Sequence, residues 1–501
     1  MMQGTNPMES GARPETGLWS NEAGRSGRMM GRMLVSAAAA LLAGLLLRLW
    51  WIFHLGQTTN DTRLYGEFAR NLLQFHAYGF SNSVHGVPAA PTPTLIRLPG
   101  YPLFLAVCFR LFGMENYTAV MLGQAAIDLW TCLLLAGLAA RMFGRRAGLT
   151  ALWLAALCPF TANYVAVPLT ETLTLFSMAL VFYAFARWRE TGAGINRWLL
   201  AIGFGLGYGI LLRPEQGLIA AAIVPAMLWI GLATNTRHPD PERSEGNGPL
   251  YFALRSAIVV SFLTLLPLAP WTARNWRVFH VLQPLAPRYA TDPGDLINFG
   301  FQRWYRTFGV EFASTDNVYW NYDGAPIAVA DLPNRAFDSN AQYAATAALL
   351  ADYNQTQNPT PALDARFNAI ALDRIHADPV RYYLALPVAR VLDMMFRPRV
   401  EMLPVPLEWW RFDQGERRAD SFALAYAALN LLFFVFAAVT VARRSLWEND
   451  RPLLLAMLAT IVLRTALLLT LDNSEDRYTL EFFPVLIVLA AATLARVGIR
   501  V

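Results

Sequence analysis

The sequence predicts an all-α polytopic membrane protein with about ten transmembrane helices, and three observations carry that reading. Of its 501 residues, 55% are hydrophobic and only 15% charged, whereas a soluble domain carries about a quarter charged residues. Apolar runs near the roughly 20 residues needed to cross a bilayer recur along the chain. The 41 basic residues are all arginine, and those that set the net charge of +5 stand at the ends of the runs. That placement fits membrane orientation rather than nucleic-acid binding, since no basic stripe interleaves with aromatics.

Taken in order, residues 1–30 are polar and rich in Gly, Ser and Arg, without an apolar core and cleavage site. They read as a disordered cytoplasmic tail, not a signal peptide. Spans are expected at 31–53, 117–141, 147–166, 169–188, 198–212, 215–233, 254–272, 421–442, 452–471 and 480–498. Arg25, Arg28, Arg32, Arg141, Arg145, Arg146, Arg187, Arg189, Arg197, Arg443 and Arg444 all fall on one side if the amino terminus is cytoplasmic; short cytoplasmic connections are the arginine-rich ones. The stretch "TNTRHPDPERSEGNG" reads as a flexible cytoplasmic linker.

Two long stretches are kept out of the membrane by that topology. Residues 54–116 form a large first extracytoplasmic loop, with "RLPGYPLFLAVCFRLFG" as an interfacial helix. Residues 273–419 form an extracytoplasmic segment of mixed α/β or irregular structure, including "DPVRYYLALPVARVLDMMF" as an amphipathic helix with Arg390 and Asp393. The organisation is therefore a membrane module over 31–272 containing the first loop, the segment 273–419, and three final helices over 420–501. The water-exposed mass faces away from the cytosol and its nucleotide sugars.

Asp61 opens the first loop, just before Leu64, Phe68, Leu72 and Phe75, which recur at helical spacing. It either caps that helix or serves as a general base at the membrane surface. Glu171 in "PLTETLTLF" begins the fourth span on the same face. The helix dipole alone would favour it there, but an acid at the edge of hydrocarbon is costly unless paired. Arg97, Arg213, Arg274 and Arg477 stand at outer helix ends, where each can snorkel. Two acids and four arginines thus converge on one face, and the planar guanidinium fork is a strong phosphate ligand.

Other residue types carry less. Cys108, Cys132 and Cys158 sit in apolar surroundings and read as buried small hydrophobes. His54, His76, His85, His280 and His376 lie outside or at the interface, and His238 in an inner loop; none forms a zinc-type pair. Trp304, Tyr305, Trp320 and Tyr322 either stack on sugar rings or pack in a core. There is no Walker loop, no GxSxG and no internal repeat.

The segments "NDTRLYGEFARNLLQFHAYGFS", "RLPGYPLFLAVCFRLFG", "PLTETL", "LLRPE", "APWTARNW" and "DRY" occur in the order seen in GT-C membrane glycosyltransferases. The chain resembles bacterial members of the protein O-mannosyltransferase family, relatives of the lipid A aminoarabinose transferase, over about residues 31–300 and more loosely in the last three helices. The resemblance implies a polyprenyl-phosphate-sugar donor. It makes Asp61 the first-loop acid, Tyr65 the tyrosine that follows it, Glu171 a second acid and Arg97 the base before "PGYP". Ile96 replaces an acid that helps hold a metal in the lipid A branch, and Arg63 differs in offset from its counterpart there. No metal ligand is therefore assigned, while a divalent cation stays open.

The implied activity is inverting transfer of a hexose or pentose from that donor to an acceptor hydroxyl of a lipid, glycan or protein. It would take place on the extracytoplasmic face of a bacterial inner membrane. Asp61 and Glu171 are the expected catalytic acids, and Arg97, Arg213 and Arg477 the donor-phosphate ligands. Tyr65, Arg274, Asn275 and Tyr478 are expected to position substrate. The alternatives are a lipid or solute transporter or flippase, and a membrane glycan polymerase or ligase. One-sided charges and the lack of inverted repeats count against transport.

Overall fold

The computed structural model describes residues 16–84, 86–192, 194–237, 248–410, 417–443 and 450–497. His85, His238, Arg444 and most of the expected linker lie outside them. Helix α1 (Thr16–Leu55) is continuous, so the expected tail is helical from Thr16. The first loop folds as α2 (Asn60–Phe75), an antiparallel hairpin of β1 (Gly79–Val84) and β2 (Val87–Pro93), and α3 (Gly100–Phe112). Next come α4 (Tyr117–Phe143), α5 (Arg145–Ala156), α6 (Pro159–Val165), α7 (Glu171–Glu190) and α8 (Arg197–Leu212). The amino-terminal bundle closes with α9 (Gly217–Arg237), α10 (Pro249–Leu265) and α11 (Leu268–Phe279).

The next segment carries α12 (Phe299–Arg306), the single turn α13 (Phe312–Ser314), α14 (Asn340–Thr356), α15 (Pro361–Ala377) and α16 (Leu386–Phe396). Among its described residues there is no strand, which corrects the expected mixed α/β character. Its sequence alternates short apolar stretches with helix-capping Ser339 and Thr360, each accepting a bond from the first turn of its helix. Three helices follow: α17 (Arg417–Ala442), α18 (Arg451–Leu468) and α19 (Phe483–Val497).

The chain is a multi-pass membrane protein: seven described helices are long and apolar enough to span, or eight if α5 and α6 form one span bent by 51°. All ten expected positions fall on helices. Of the remaining two, α8 is a shorter apolar helix, and α7 carries Glu171, Arg187, Arg189 and Glu190 within its 20 residues. Alpha-helical rise makes α7 about 30 Å long, a bilayer's hydrocarbon thickness. At its far end Arg187 and Arg141 pair with Glu190, and Arg189 with Asp450. Glu171 marks the opposite end.

Pro159 causes the α5–α6 break, because it has no N–H to offer the carbonyl four residues back. Arg48 of α1 reaches into the gap, donating to Ala156 O at 2.7 Å and to Asp128 of α4. A Cβ on Gly44 would meet that of Ala156 at 2.9 Å, so glycine lets α1 approach closely enough for this contact. Apolar α19 is enclosed at the centre of the bundle.

The 273–419 segment has its own aromatic core, in which Phe301 stacks on Tyr322 at 3.6 Å. Trp304, Tyr305 and Tyr322 are buried there, leaving Trp320 exposed among the four aromatics considered for sugar stacking. The segment grips the loop before α19. Arg306 pairs with Asp472, Thr315 exchanges bonds with Ser474, and Arg399 donates to Asp476 O.

Candidate active site

The site forms where the start of α2, the turn before α3, the start of α7, the end of α8 and the loop before α19 meet. Thr59 is the N-cap of α2, its hydroxyl and that of Thr62 making a reciprocal capping box. The capping reading of Asp61 is therefore corrected: Asp61 sits inside the first turn with its carboxylate directed elsewhere. Thr62 also donates to Pro168 O at 3.1 Å, tying α2 to the turn that leads into Glu171.

Asp61 bridges two arginines. Its Oδ1 accepts from Arg97 Nη2 at 3.3 Å and its Oδ2 from Arg477 Nη1 at 2.9 Å. Burial alone would raise the Asp61 carboxyl, yet Arg477 and then Arg97 hold it at about 2. Burial, followed by the Asp61 charge, pushes the Tyr65 phenol up to about 12; Arg97, Glu171 and Arg477 are also in electrostatic reach. The Tyr65 phenol therefore feels both acids and two of the cations.

Behind this pair lies a more enclosed layer. Arg213 donates to Glu171 at 3.1 Å and Glu215 at 2.8 Å. Arg464 pairs with Glu481 at 2.8 Å and Glu215 at 3.3 Å. Arg477 also pairs with Glu475, which accepts the Tyr478 hydroxyl at 2.6 Å. The Arg213 guanidinium lies 5.6 Å from the centre of the Tyr478 ring. Every guanidinium in this group already has a carboxylate partner, and Asp61 is the most exposed of those partners at 25%.

The structure therefore brings together Asp61, Glu171, Arg97, Arg213, Arg477, Tyr65 and Tyr478. Arg274 and Asn275 stand apart from this group. Arg274 donates to Thr94 O at 2.8 Å and Tyr78 O at 2.7 Å, and Asn275 to Gln283 O at 2.8 Å. Tyr78 in turn donates to Arg97 O at 3.0 Å. Arg274 thus braces the loop carrying Arg97, acting one step removed. Arg63 is exposed outside the group.

Sequence reasoning left out Glu215, Arg464, Glu475 and Glu481. Arg464 had a signal, since an ionisable residue inside an apolar run usually has a partner and a role. Glu215, two residues after Arg213 in "RPE", had another. Among the described residues no group of three or more His, Cys, Asp or Glu side chains is arranged to hold a metal ion.

Residues 92–240 match the family model described as dolichyl-phosphate-mannose-protein mannosyltransferase, and the resemblance read from the sequence is borne out. No curated protein matches the chain. Among solved structures it is similar to the archaeal oligosaccharyltransferase AglB from Archaeoglobus fulgidus, whose structure holds an inhibitory peptide and a dolichol-phosphate. The TM-score is 0.48 and the identity 13%, over 93% of this chain and 50% of that one. It is also similar to ArnT from Cupriavidus metallidurans bound to undecaprenyl phosphate, with TM-score 0.36 and 14% identity over 93% and 78% of the two chains. The chain spans about half the length of the oligosaccharyltransferase.

Proposed function

We propose that this protein is an inverting glycosyltransferase that moves one sugar from a polyprenyl-phosphate donor to an acceptor hydroxyl. The observation that carries the reading is Asp61 held between Arg97 and Arg477, with Glu171 in electrostatic reach of Arg477. A carboxylate and a pair of guanidinium groups are what acid–base transfer against a phosphate leaving group requires.

The donor is a phosphodiester with one negative charge; its lipid-phosphate product carries up to two. As the acceptor oxygen attacks the anomeric carbon, the bond from that carbon to phosphate oxygen breaks and its electron pair stays on the phosphate. Arg97 and Arg477 are positioned to receive that growing charge, with Arg213 behind them. The acceptor proton goes to Asp61. In the resting state Asp61 is a weak base, because both its oxygens accept from arginine. Phosphate entering between those arginines takes over their donors and frees the carboxylate, so the base becomes competent when donor is bound. Glu171 orients a sugar or acceptor hydroxyl, and Tyr65 and Tyr478 shape the space between.

We place the site on the extracytoplasmic side of a bacterial inner membrane, with the amino terminus in the cytoplasm. Support comes from α7, which puts Glu171 at one end and the Arg141, Arg187 and Arg189 group at the other. The segment 273–419 would contribute to acceptor selection. An apolar groove of about 530 Å³ along α11, lined by residues including Leu265, Ala269 and Trp276, is the place proposed for the prenyl tail. The deciding experiment measures transfer of labelled sugar from polyprenyl-phosphate donors in membranes, wild type against Asp61→Asn. Equal turnover by a folded variant removes Asp61 from the base role.

A further inference from the structure

Next to the Asp61 group lies a second set of polar side chains that the transfer step does not use. Tyr164 of α6 donates to Glu401 Oε1 at 2.5 Å, and the same phenol is within electrostatic reach of Glu171 and Arg477. One tyrosine therefore bonds Glu401 while feeling the charges of the reaction centre. Glu401 Oε2 is buried without a hydrogen-bond partner, and so are Asn163 Oδ1 and the Tyr426 hydroxyl. Asn163 is only 3% exposed and Tyr426 only 8%.

Helix α6 links these groups: Tyr164 bonds Glu401 and Phe160 meets Tyr426. Phe160, Asn163 and Tyr164 are spaced i, i+3 and i+4 and share a face of α6. The Phe160 ring meets the Tyr426 ring edge-on at 4.9 Å, and Tyr426 is within electrostatic reach of Glu401. The nearby cation, Arg399, donates instead to Asn430, Asp476 O and Thr479. Buried polar atoms without partners cost stability, and a cluster of them in a native fold calls for an explanation. Here the unused groups are two acceptor oxygens and one hydroxyl, so the missing partner brings hydroxyl donors. Arg399 beside Glu401 offsets its charge, which favours a neutral polyol over a cation.

We infer that Glu401, Asn163 and Tyr426 form an acceptor subsite that binds a neutral, hydroxyl-bearing group beside the reaction centre. The inference rests on the glycosyl-transfer reading. The test uses the full chain in membranes, a panel of polyprenyl-phosphate hexoses and pentoses, and glycerol as the hydroxyl-rich probe competing with water. The readout is the ratio of glyceryl glycoside to free sugar, which is internal to each preparation and independent of the folded fraction. Glu401→Gln keeps shape and leaves an acceptor for Tyr164, and it is expected to lower the ratio about tenfold; Tyr426→Phe lowers it in the same direction. Ratios within about twofold of wild type in both variants overturn the subsite and leave the transferase reading standing. Wild-type membranes that release neither product overturn both.

Discussion

Asp61 Oδ2 and Arg477 Nη1 lie 2.9 Å apart although 416 positions separate them in the chain. That ion pair joins the first loop to the last, and with the Arg97 contact it gives both half-buried guanidinium groups a carboxylate partner. A phosphate that binds across both arginines competes with Asp61 for the donors facing it. Asp61→Asn should therefore do two opposite things: lower transfer by about 10²–10⁴-fold and tighten binding of undecaprenyl phosphate several-fold, to the order of tenfold. Equilibrium binding in detergent or nanodiscs measures the second effect. Weaker binding by the variant would show that Asp61 does not compete with phosphate.

The same pair predicts a stability profile. The Asp61 carboxyl is at about 2 in the folded protein against an ordinary 3.8. A depressed carboxyl contributes stability that is fully present above its unfolded value and is lost as pH falls through the folded one. The contribution is about 2 kcal/mol, present above roughly pH 4 and fading between 4 and 2. The melting temperatures of wild type and Asp61→Asn should converge as pH falls through that window. A gap that widens in acid would mean that the arginines do not stabilise the carboxylate.

The contacts of Arg274 are those of a brace, and whether it also binds substrate is measurable. It holds the carbonyls of Thr94 and Tyr78 and lies against Trp271, Tyr78 and Phe279. Arg274→Ala is expected to lower kcat about tenfold or more by loosening the loop that carries Arg97, with a smaller loss of lipid-phosphate affinity than Arg97→Ala. Lysine should not rescue it, because one ammonium cannot serve two carbonyls in the planar geometry of the fork. An Arg274→Ala variant that loses phosphate binding as completely as Arg97→Ala would make Arg274 a ligand after all.

Much of this was legible in the chain. Hydropathy located helices at all ten positions, and arginines at run ends drew one expected face, because both signals are local and strong. Asp61, Glu171, Arg97, Arg213 and Arg477 were legible as charges at helix ends on that face. Their pairing was not, since Asp61 and Arg477 come from opposite ends of the sequence. The bracing contacts of Arg274 were invisible because its two shortest hydrogen bonds go to backbone carbonyls, which leave no trace in residue identity. Thr59 took the cap from Asp61 because a hydroxyl two residues earlier can satisfy the same free N–H groups. Trp304 and Tyr322 allowed a sugar-platform reading beside the favoured one of core packing, and the packing of the 273–419 segment decides for the core.

The Arg48–Asp128 pair gives the sharpest stability prediction, because it lies inside the bundle and outside the site. Both side chains are almost wholly buried, at 0% and 3% exposure. Arg48 also supplies donors to Gly44 O and Ala156 O, the latter at the proline break. Asp128→Ala leaves a guanidinium charge uncompensated in apolar surroundings and should cost about 3–5 kcal/mol. Replacing both, as Arg48→Met with Asp128→Leu, removes the charges but leaves carbonyls at the break without donors. That variant should lose only about 1–3 kcal/mol and so be more stable than Asp128→Ala alone. Unfolding in detergent measures the order. A double variant less stable than the single one would show that the carbonyl contacts, not the ion pair, are what α1 contributes to holding α4 and α5 together.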